Sequence, residues 1–404
     1  MIFLIALINL VIVFLAWKQR QFSRLIFFVL FFPVITAQVI YIEIFKYEFI
    51  VPWHTFDFSL FSVAKFYVLA SLFIVLCLGA FSPRKIKINH SKNREYYEEF
   101  YSTCFFILNF IFSSMFIFIF IGYSDVVEMS RPGIKAGTTI FLVFTISLTY
   151  PALVNLRNDF EIKFVDVINI LLAILVCFVI SKMHALAVAL AAITIYLNRE
   201  SKNSNRKLIL VGLILFLLSA SFVSLQYLKD KAFKAEKSDI DIILFTLQLI
   251  YLYGNEAFSG LFSAMSTSYR SPETTGLTFG VFQILNGIMK TIPSIIRPDL
   301  ALDLLYFDPG QDERQSIVTS IYEETFRSFG MFGAIIYGAV LHFVLNYIDS
   351  QLKEQGPMML AIILLLLLPF LLRGPMLVVV NHFIFLGCLI FFYQLFQSNR
   401  KRSF

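Results

Sequence analysis

Residues 60–81 read LFSVAKFYVLASLFIVLCLGAF, an apolar run whose one charge is Lys65. At 1.5 Å per residue, a helix of that length reaches about 33 Å, enough to cross the ~30 Å hydrocarbon core of a bilayer. A helix is the element that fits. A barrel strand alternates apolar and polar residues over about ten positions, and this run does not alternate. Lys65 lies near one end, where its aliphatic stem lets the ammonium reach the headgroups.

Outward from this stretch, apolar runs recur at 1–17, 25–45, 104–123, 138–156, 164–181, 184–197, 208–228, 330–348, 358–372 and 376–396. The sequence therefore predicts an all-α integral membrane protein with eleven transmembrane helices. Composition agrees. Hydrophobic residues make up 58% of the chain and charged residues 15%, where a soluble domain has about half and about a quarter. The 48 Phe and 18 Tyr suit a lipid-facing surface. The first run has no basic residues before it; Lys18, Arg20 and Arg24 follow it. That order predicts a retained first helix in place of a cleaved signal peptide.

The net charge of +6 is distributed in a way that sets orientation. Eighteen Lys and Arg fall in 18–24, 82–103, 157–163, 198–207, 349–357 and 397–404, against five in 46–59, 124–137, 182–183 and 373–375. The positive-inside rule makes the first group cytoplasmic, so the N-terminus is outside and the C-terminus inside. No pattern for binding nucleic acid accompanies the charge. Cys77, Cys104, Cys177 and Cys388 lie in or beside apolar runs, without metal-ligand spacing and without implying a disulfide framework.

One connection is long. Residues 229–329 form an outer loop between the eighth and ninth spans, dividing the chain into 1–228, 229–329 and 330–404. The loop's apolar stretches at 240–253 and 278–296 predict short helices in the interface or dipping into the bilayer. It carries Arg270, Lys290, Arg297, Arg314 and Arg327, together with Asp299, Asp303, Asp308, Asp312, Glu313, Glu323 and Glu324. Arginine offers a planar fork suited to phosphate, and a carboxylate can act as a base. A salt-bridged outer surface is the plainer account of the same residues.

Residues 315–348 read as one helix that begins outside and runs into the membrane. Glu323 and Arg327 share a face of it, at i and i+4. Gly330, Gly333 and Gly338 then allow another backbone to come close. Two spans are short: 184–197 and 358–372 cover roughly 21–23 Å, less than the ~30 Å core. Their outer tips carry Lys182 and His184 in one case and Arg373 in the other, and should sit recessed in the outer leaflet. A recessed cation facing lipid costs several kcal/mol, so a polar cavity or an anion is expected beside it; the plainer alternative is snorkelling to the surface. His184 reads as an interfacial histidine, and His342 and His382 as helix-packing ones. Residues 308–312 lack the ligand spacing of an EF-hand. No P-loop, nucleophile elbow, zinc-protease motif or paired CxxC is present.

These features together resemble the Wzy-type O-antigen polymerases, the oligosaccharide repeat unit polymerases. The resemblance rests on the many spans with one large outer loop before the last few. It rests also on residues 320–333, SIYEETFRSFGMFG, continuing to Gly338, and on short outer turns bearing a cation, Ser181-Lys182 and Leu372-Arg373-Gly374. Many members carry Arg where this chain has Lys182, which replaces a bidentate fork with a point charge.

The resemblance implies a glycosyltransferase of the bacterial inner membrane. It would join undecaprenyl-pyrophosphate-linked repeat units at the outer face into an O-antigen or capsule, releasing undecaprenyl pyrophosphate. Glu323, Glu324 and Arg373 would be catalytic, and Lys182, Arg270, Arg314 and Arg327 would hold the pyrophosphate. Cations would stabilise the leaving group, with no metal and no other cofactor. The partners would be lipid-linked glycans, the bilayer and a chain-length regulator. The alternatives are a flippase or other polytopic transporter, the ligase that moves a finished glycan to lipid A core, and a non-enzymatic export scaffold. A transporter would show internal pseudo-symmetry and ionisable residues near span centres, and the sequence shows little of either.

Overall fold

The computed structural model describes residues 1–36, 39–40, 43, 60–81, 97–123, 135–157, 163–199, 288, 325–326, 328–354, 358–373 and 376–401. The expected span 208–228 and nearly all of the outer loop 229–329 lie outside the described residues. Every described element is helical: α1 (Ile2–Lys18), α2 (Phe22–Phe31), α3 (Phe61–Phe81), α4 (Glu99–Tyr123), α5 (Lys135–Ser147), α6 (Tyr150–Arg157), α7 (Phe164–Ile180), α8 (Lys182–Asn198), α9 (Gly333–Glu354), α10 (Met359–Arg373) and α11 (Met376–Lys401). Among the described residues, four stretches have the length and apolarity to cross a membrane: Phe61–Ala80, Ile140–Arg157, Gly330–Lys353 and Val378–Leu395. Six shorter apolar helices accompany them. This is an all-helical architecture with the marks of a membrane protein.

α1 shows how an almost wholly apolar helix is sorted. Ile5, Ile8, Ile12 and Ala16 recur every three or four residues and are buried. Phe3, Leu4, Leu7, Leu10, Phe14 and Trp17 cover the rest and are exposed, as a lipid-facing surface requires. The helix ends in a Schellman motif: Arg20 N–H bonds Trp17 O at 3.1 Å and Gln21 N–H bonds Ala16 O at 2.9 Å. Arg20 takes φ 53° there, which costs a non-glycine residue roughly 1–2 kcal/mol.

Two predicted helices are broken. The span 138–156 divides at Leu148-Thr149 into α5 and α6. Ser147 Oγ bonds Phe144 O at 2.7 Å and Thr149 Oγ1 bonds Ile146 O at 2.6 Å. These hydroxyls compete for the carbonyls of the preceding turn, and Pro151 has no amide to return to Ser147. The expected continuous helix 315–348 is interrupted at Gly330, whose φ of +56° no right-handed helix accommodates. A 3₁₀ turn over Gly330–Phe332 redirects the chain before α9 begins. Proline has a similar effect in α2, where the ladder gives way to π turns over Phe32–Thr36, around Pro33.

α3 and α9 lie side by side in the same direction, and glycine allows it. A Cβ on Gly338 would sit 2.7 Å from Ser71 O and 3.1 Å from Ile74 Cβ. One on Gly333 would collide with Thr325 O and Tyr67 Oη. The expected approach of another backbone is met by α3 at Gly338; at Gly333 the neighbours are the Thr325 carbonyl and the Tyr67 side chain, and at Gly330 a Cβ would meet nothing within 4 Å.

At one end of this pair a polar lock joins α2 to α9. Arg24 Nη2 bonds His342 Nδ1 at 3.0 Å, Ser23 N–H bonds Asp349 Oδ1 at 2.9 Å, and Ser23 Oγ bonds Leu345 O at 3.1 Å. Gly79 leaves room for the guanidinium, since a Cβ there would lie 2.9 Å from Arg24 Nη1. Lys353 reaches Gln19 O at 3.3 Å and Arg157 reaches Gln351 O at 2.8 Å. Residues of 18–24, 157–163 and 349–357 thus meet at one end of the molecule.

α8 and α10 are central. In α10, Ala361, Ile362, Ile363, Leu365, Leu366, Leu367, Leu368, Phe370 and Leu372 are all buried, and α8 is buried on nearly every face. Helices apolar all round belong inside a bundle. The α3–α9 seam yields a direct test. Gly338→Ala should lower the thermal midpoint of the detergent-purified protein, because the added methyl meets the Ser71 carbonyl, and overpacking costs about 1–3 kcal/mol. Gly387→Ala, with nothing within 4 Å of its Cβ, should leave the midpoint unchanged or raise it. Equal losses from both would refute the seam.

Candidate functional site

The site is built from two hairpins, α7–α8 and α10–α11, whose tips the fold brings together. Ser181 is the only residue between α7 and α8. Its backbone is extended, with φ −147° and ψ 107°, so it ends one helix and starts the next. A serine there would ordinarily accept a hydrogen bond from the second or third amide of its helix. Ser181 makes no such cap; its Oγ instead lies 2.7 Å from His184 Nδ1.

His184 crosses to the other hairpin. Its Nε2 lies 2.8 Å from Nε2 of His382 in α11. His382 Nδ1 lies 2.8 Å from the carbonyl of Val378. Phe370 of α10 closes the group, with its ring centroid 5.0 Å from that of His184 and 4.9 Å from that of His382. Both histidines are buried, at 7% and 2% exposure. Among the described residues no carboxylate bonds to either ring.

The partners define the protons when the pair is neutral. Val378 O can only accept, so His382 Nδ1 carries hydrogen and its Nε2 is a bare acceptor. His184 Nε2–H must then donate to it, which leaves His184 Nδ1 to accept from the Ser181 hydroxyl. All the hydrogen bonds point one way, from Ser181 to Val378, and such a chain is mutually polarising.

The predicted site residues divide as follows. Lys182 is the first residue of α8 and Arg373 the last of α10. His184 near Lys182 and, on the other tip, Phe370 three residues before Arg373 hold the two hairpins together. Glu323, Glu324, Arg327, Arg270 and Arg314 lie outside the described residues. Thr325, the residue after Glu324, bonds the Tyr67 hydroxyl of α3 at 2.9 Å, and the Tyr67 and Phe326 rings pack edge to face at 5.7 Å. Tyr337 of α9 donates to Leu371 O at 3.3 Å, beside the α10 tip. Lys65, expected to reach for headgroups, instead pairs with Glu43 at 2.6 Å.

The pairing of His184 with His382 is what sequence reading misses. Each histidine lies near the tip end of its helix, but 198 residues separate them, and nothing local signals a partner. Among the described residues no group of three or more His, Cys, Asp or Glu is placed to hold a metal ion.

Comparison of the chain with family models, with curated proteins and with solved structures finds no match in any of the three. The geometry of the tips is thus the starting point for function.

The histidine contact predicts energetic coupling. In a double-mutant cycle of His184→Ala and His382→Ala, each single change should destabilise the protein by about 1–3 kcal/mol, since it leaves a buried ring nitrogen unsatisfied. The double change should cost about 1 kcal/mol less than the sum. Additive losses would mean that the rings do not interact.

Proposed function

We propose that this chain is a lipid-linked oligosaccharide polymerase of the bacterial inner membrane, acting at the outer face with its N-terminus outside and its C-terminus in the cytoplasm. The observation that carries the reading is the meeting of two cation-bearing tips on buried helices too short to span a bilayer. α8 and α10 have 17 and 15 residues, about 25 Å and 22 Å of helix. On this reading Lys182 and Arg373, at the tips of these helices, would be recessed from the surrounding lipid surface, at the depth of a lipid pyrophosphate.

The chemistry follows from that placement. The donor glycan is linked through its anomeric carbon to undecaprenyl pyrophosphate. Arg373 and Lys182, joined by Arg270, Arg314 and Arg327 from the outer segment, neutralise the charge that grows on the pyrophosphate as the C–O bond breaks. Glu323, with Glu324 beside it, takes the proton of the acceptor hydroxyl on the next repeat unit as the new glycosidic bond forms. The anchoring of Thr325 on α3 supports bringing these carboxylates toward the membrane at the entry to α9. On this reading the segment 229–329 would supply the contacts to the sugars. A chain-length regulator is the natural protein partner.

The test is the surface glycan of a deletion strain. Deletion should leave single repeat units at the surface, and the wild-type gene should restore the ladder on a gel. Arg373→Ala, expressed at wild-type level, should fail to restore it, and Glu323→Ala should reduce it by at least about 100-fold. If deletion instead traps the lipid-linked unit at the inner face, the protein is a flippase and the polymerase reading falls.

A further inference from the structure

We propose that Ser181, His184 and His382 form a proton-coupled subsite for the pyrophosphate, which gains one positive charge when the anion binds and loses it when the anion leaves. The inference rests on the polymerase reading for the identity of the anion. It goes beyond that reading in assigning a role to three residues that the reading does not use.

The first argument is the capacity of the chain. Two imidazole nitrogens 2.8 Å apart share one hydrogen; a second would set N–H against N–H. Val378 O requires a hydrogen on His382 Nδ1 at all times. The pair therefore has two permitted states. In the neutral state, Ser181 donates to His184 and His184 donates to His382. In the cationic state, His382 carries both of its hydrogens and donates to His184 Nε2, while His184 Nδ1–H donates to Ser181 Oγ. One proton separates the two states, and both use the same heavy-atom positions, so the change needs no movement of helices.

The second argument is the route. The two rings are buried, whereas Ser181 is half-buried and stands at the hairpin tip. A proton arriving at Ser181 Oγ releases the hydroxyl's own hydrogen to His184 Nδ1, and the hydrogen on His184 Nε2 moves to His382. Each step passes along an existing hydrogen bond of 2.7–2.8 Å. The loss of the usual capping bond by Ser181 is explained, because its hydroxyl serves as the entry to the pair.

The third argument is charge. The described groups that face the rings are the Ser181 hydroxyl at the α7–α8 junction, the Phe370 ring on α10 and the Val378 carbonyl on α11. None is anionic, and the charged residues nearest in the chain are the cations Lys182 and Arg373. With the tip empty, these surroundings oppose a further positive charge in a low-dielectric interior. An anion held at Lys182 and Arg373 reverses that sign. Linkage then requires anion and proton to favour each other's binding.

The experiment uses the full-length protein in detergent and geranyl pyrophosphate, a soluble lipid pyrophosphate, as the probe. Binding is measured calorimetrically in two buffers of different ionisation enthalpy, which gives the protons taken up per molecule bound. Wild type should take up about one proton more than His382→Gln. Its affinity should rise by up to about tenfold per pH unit as pH falls, until the empty pair is itself protonated. Ser181→Ala removes the entry hydroxyl and with it the hydrogen bond to His184 Nδ1, so its fold is checked first by its thermal midpoint. It should slow the proton uptake that a pH indicator follows in stopped flow. If wild type binds the probe with the same proton count as His382→Gln and as His184→Gln, the subsite is wrong while the pyrophosphate reading stands. If wild type does not bind the probe at all, both fall. Should the Gln variants be lost to misfolding, wild-type affinity that does not change with pH would overturn the proposal alone.

Discussion

Everything about the site depends on a length mismatch. α8 and α10 are too short to bridge a bilayer by themselves, and a lone helix of that length would thin the membrane or tilt its neighbours. The fold removes the problem by burying both helices at the centre of the bundle, where protein surrounds them. Other helices present phenylalanine outward: Phe3 and Phe14 on α1, Phe66 and Phe73 on α3, Phe343 on α9, Phe391 and Phe392 on α11. The His184–His382 contact joins the tips of the two hairpins.

The opposite end of the bundle answers a different need. Arg24, His342 and Asp349 are buried together, with Ser23 spending both its amide and its hydroxyl on α9. Breaking a buried ionic group by removing one partner costs several kcal/mol, so such networks hold helices in one register. Here the network fixes α2 against α9, while Gly338 and Gly333 set α9 against α3. α9 is thereby held on two sides, and it is the helix that Thr325 and the segment before it lead into.

Much of the architecture was legible in the sequence because apolar length is a local property. Residues 60–81 and 330–348 read directly as helices, and the close approach at Gly333 and Gly338 could be expected from residue size. The breaks could not. The split at Leu148-Thr149 arises from two hydroxyls bonding back to carbonyls one turn earlier, with Pro151 withholding an amide. The bend at Gly330 depends on a left-handed φ that the run FGMFG does not by itself demand. At the site, the placing of Lys182 and Arg373 at helix ends was legible from the apolar runs alone. Their convergence was not, because it is made by His184, His382 and Phe370, a tertiary contact between residues far apart in the chain. Glu323, Glu324, Arg270, Arg314 and Arg327 stand on their sequence reading.

The central claim is that the two tips open together on the outer face, and cysteine labelling tests it directly. With Cys77, Cys104, Cys177 and Cys388 replaced by alanine, Lys182→Cys and Arg373→Cys are introduced one at a time and treated in intact cells with a membrane-impermeant maleimide small enough to cross the outer membrane through porins. Lys353→Cys, at the opposite end, is the reference. The account predicts labelling at both 182 and 373 from outside, and at 353 only after the inner membrane is permeabilised. Labelling at either tip that appears only after permeabilisation would place the tips on different faces, or both on the inner one, and would contradict the account.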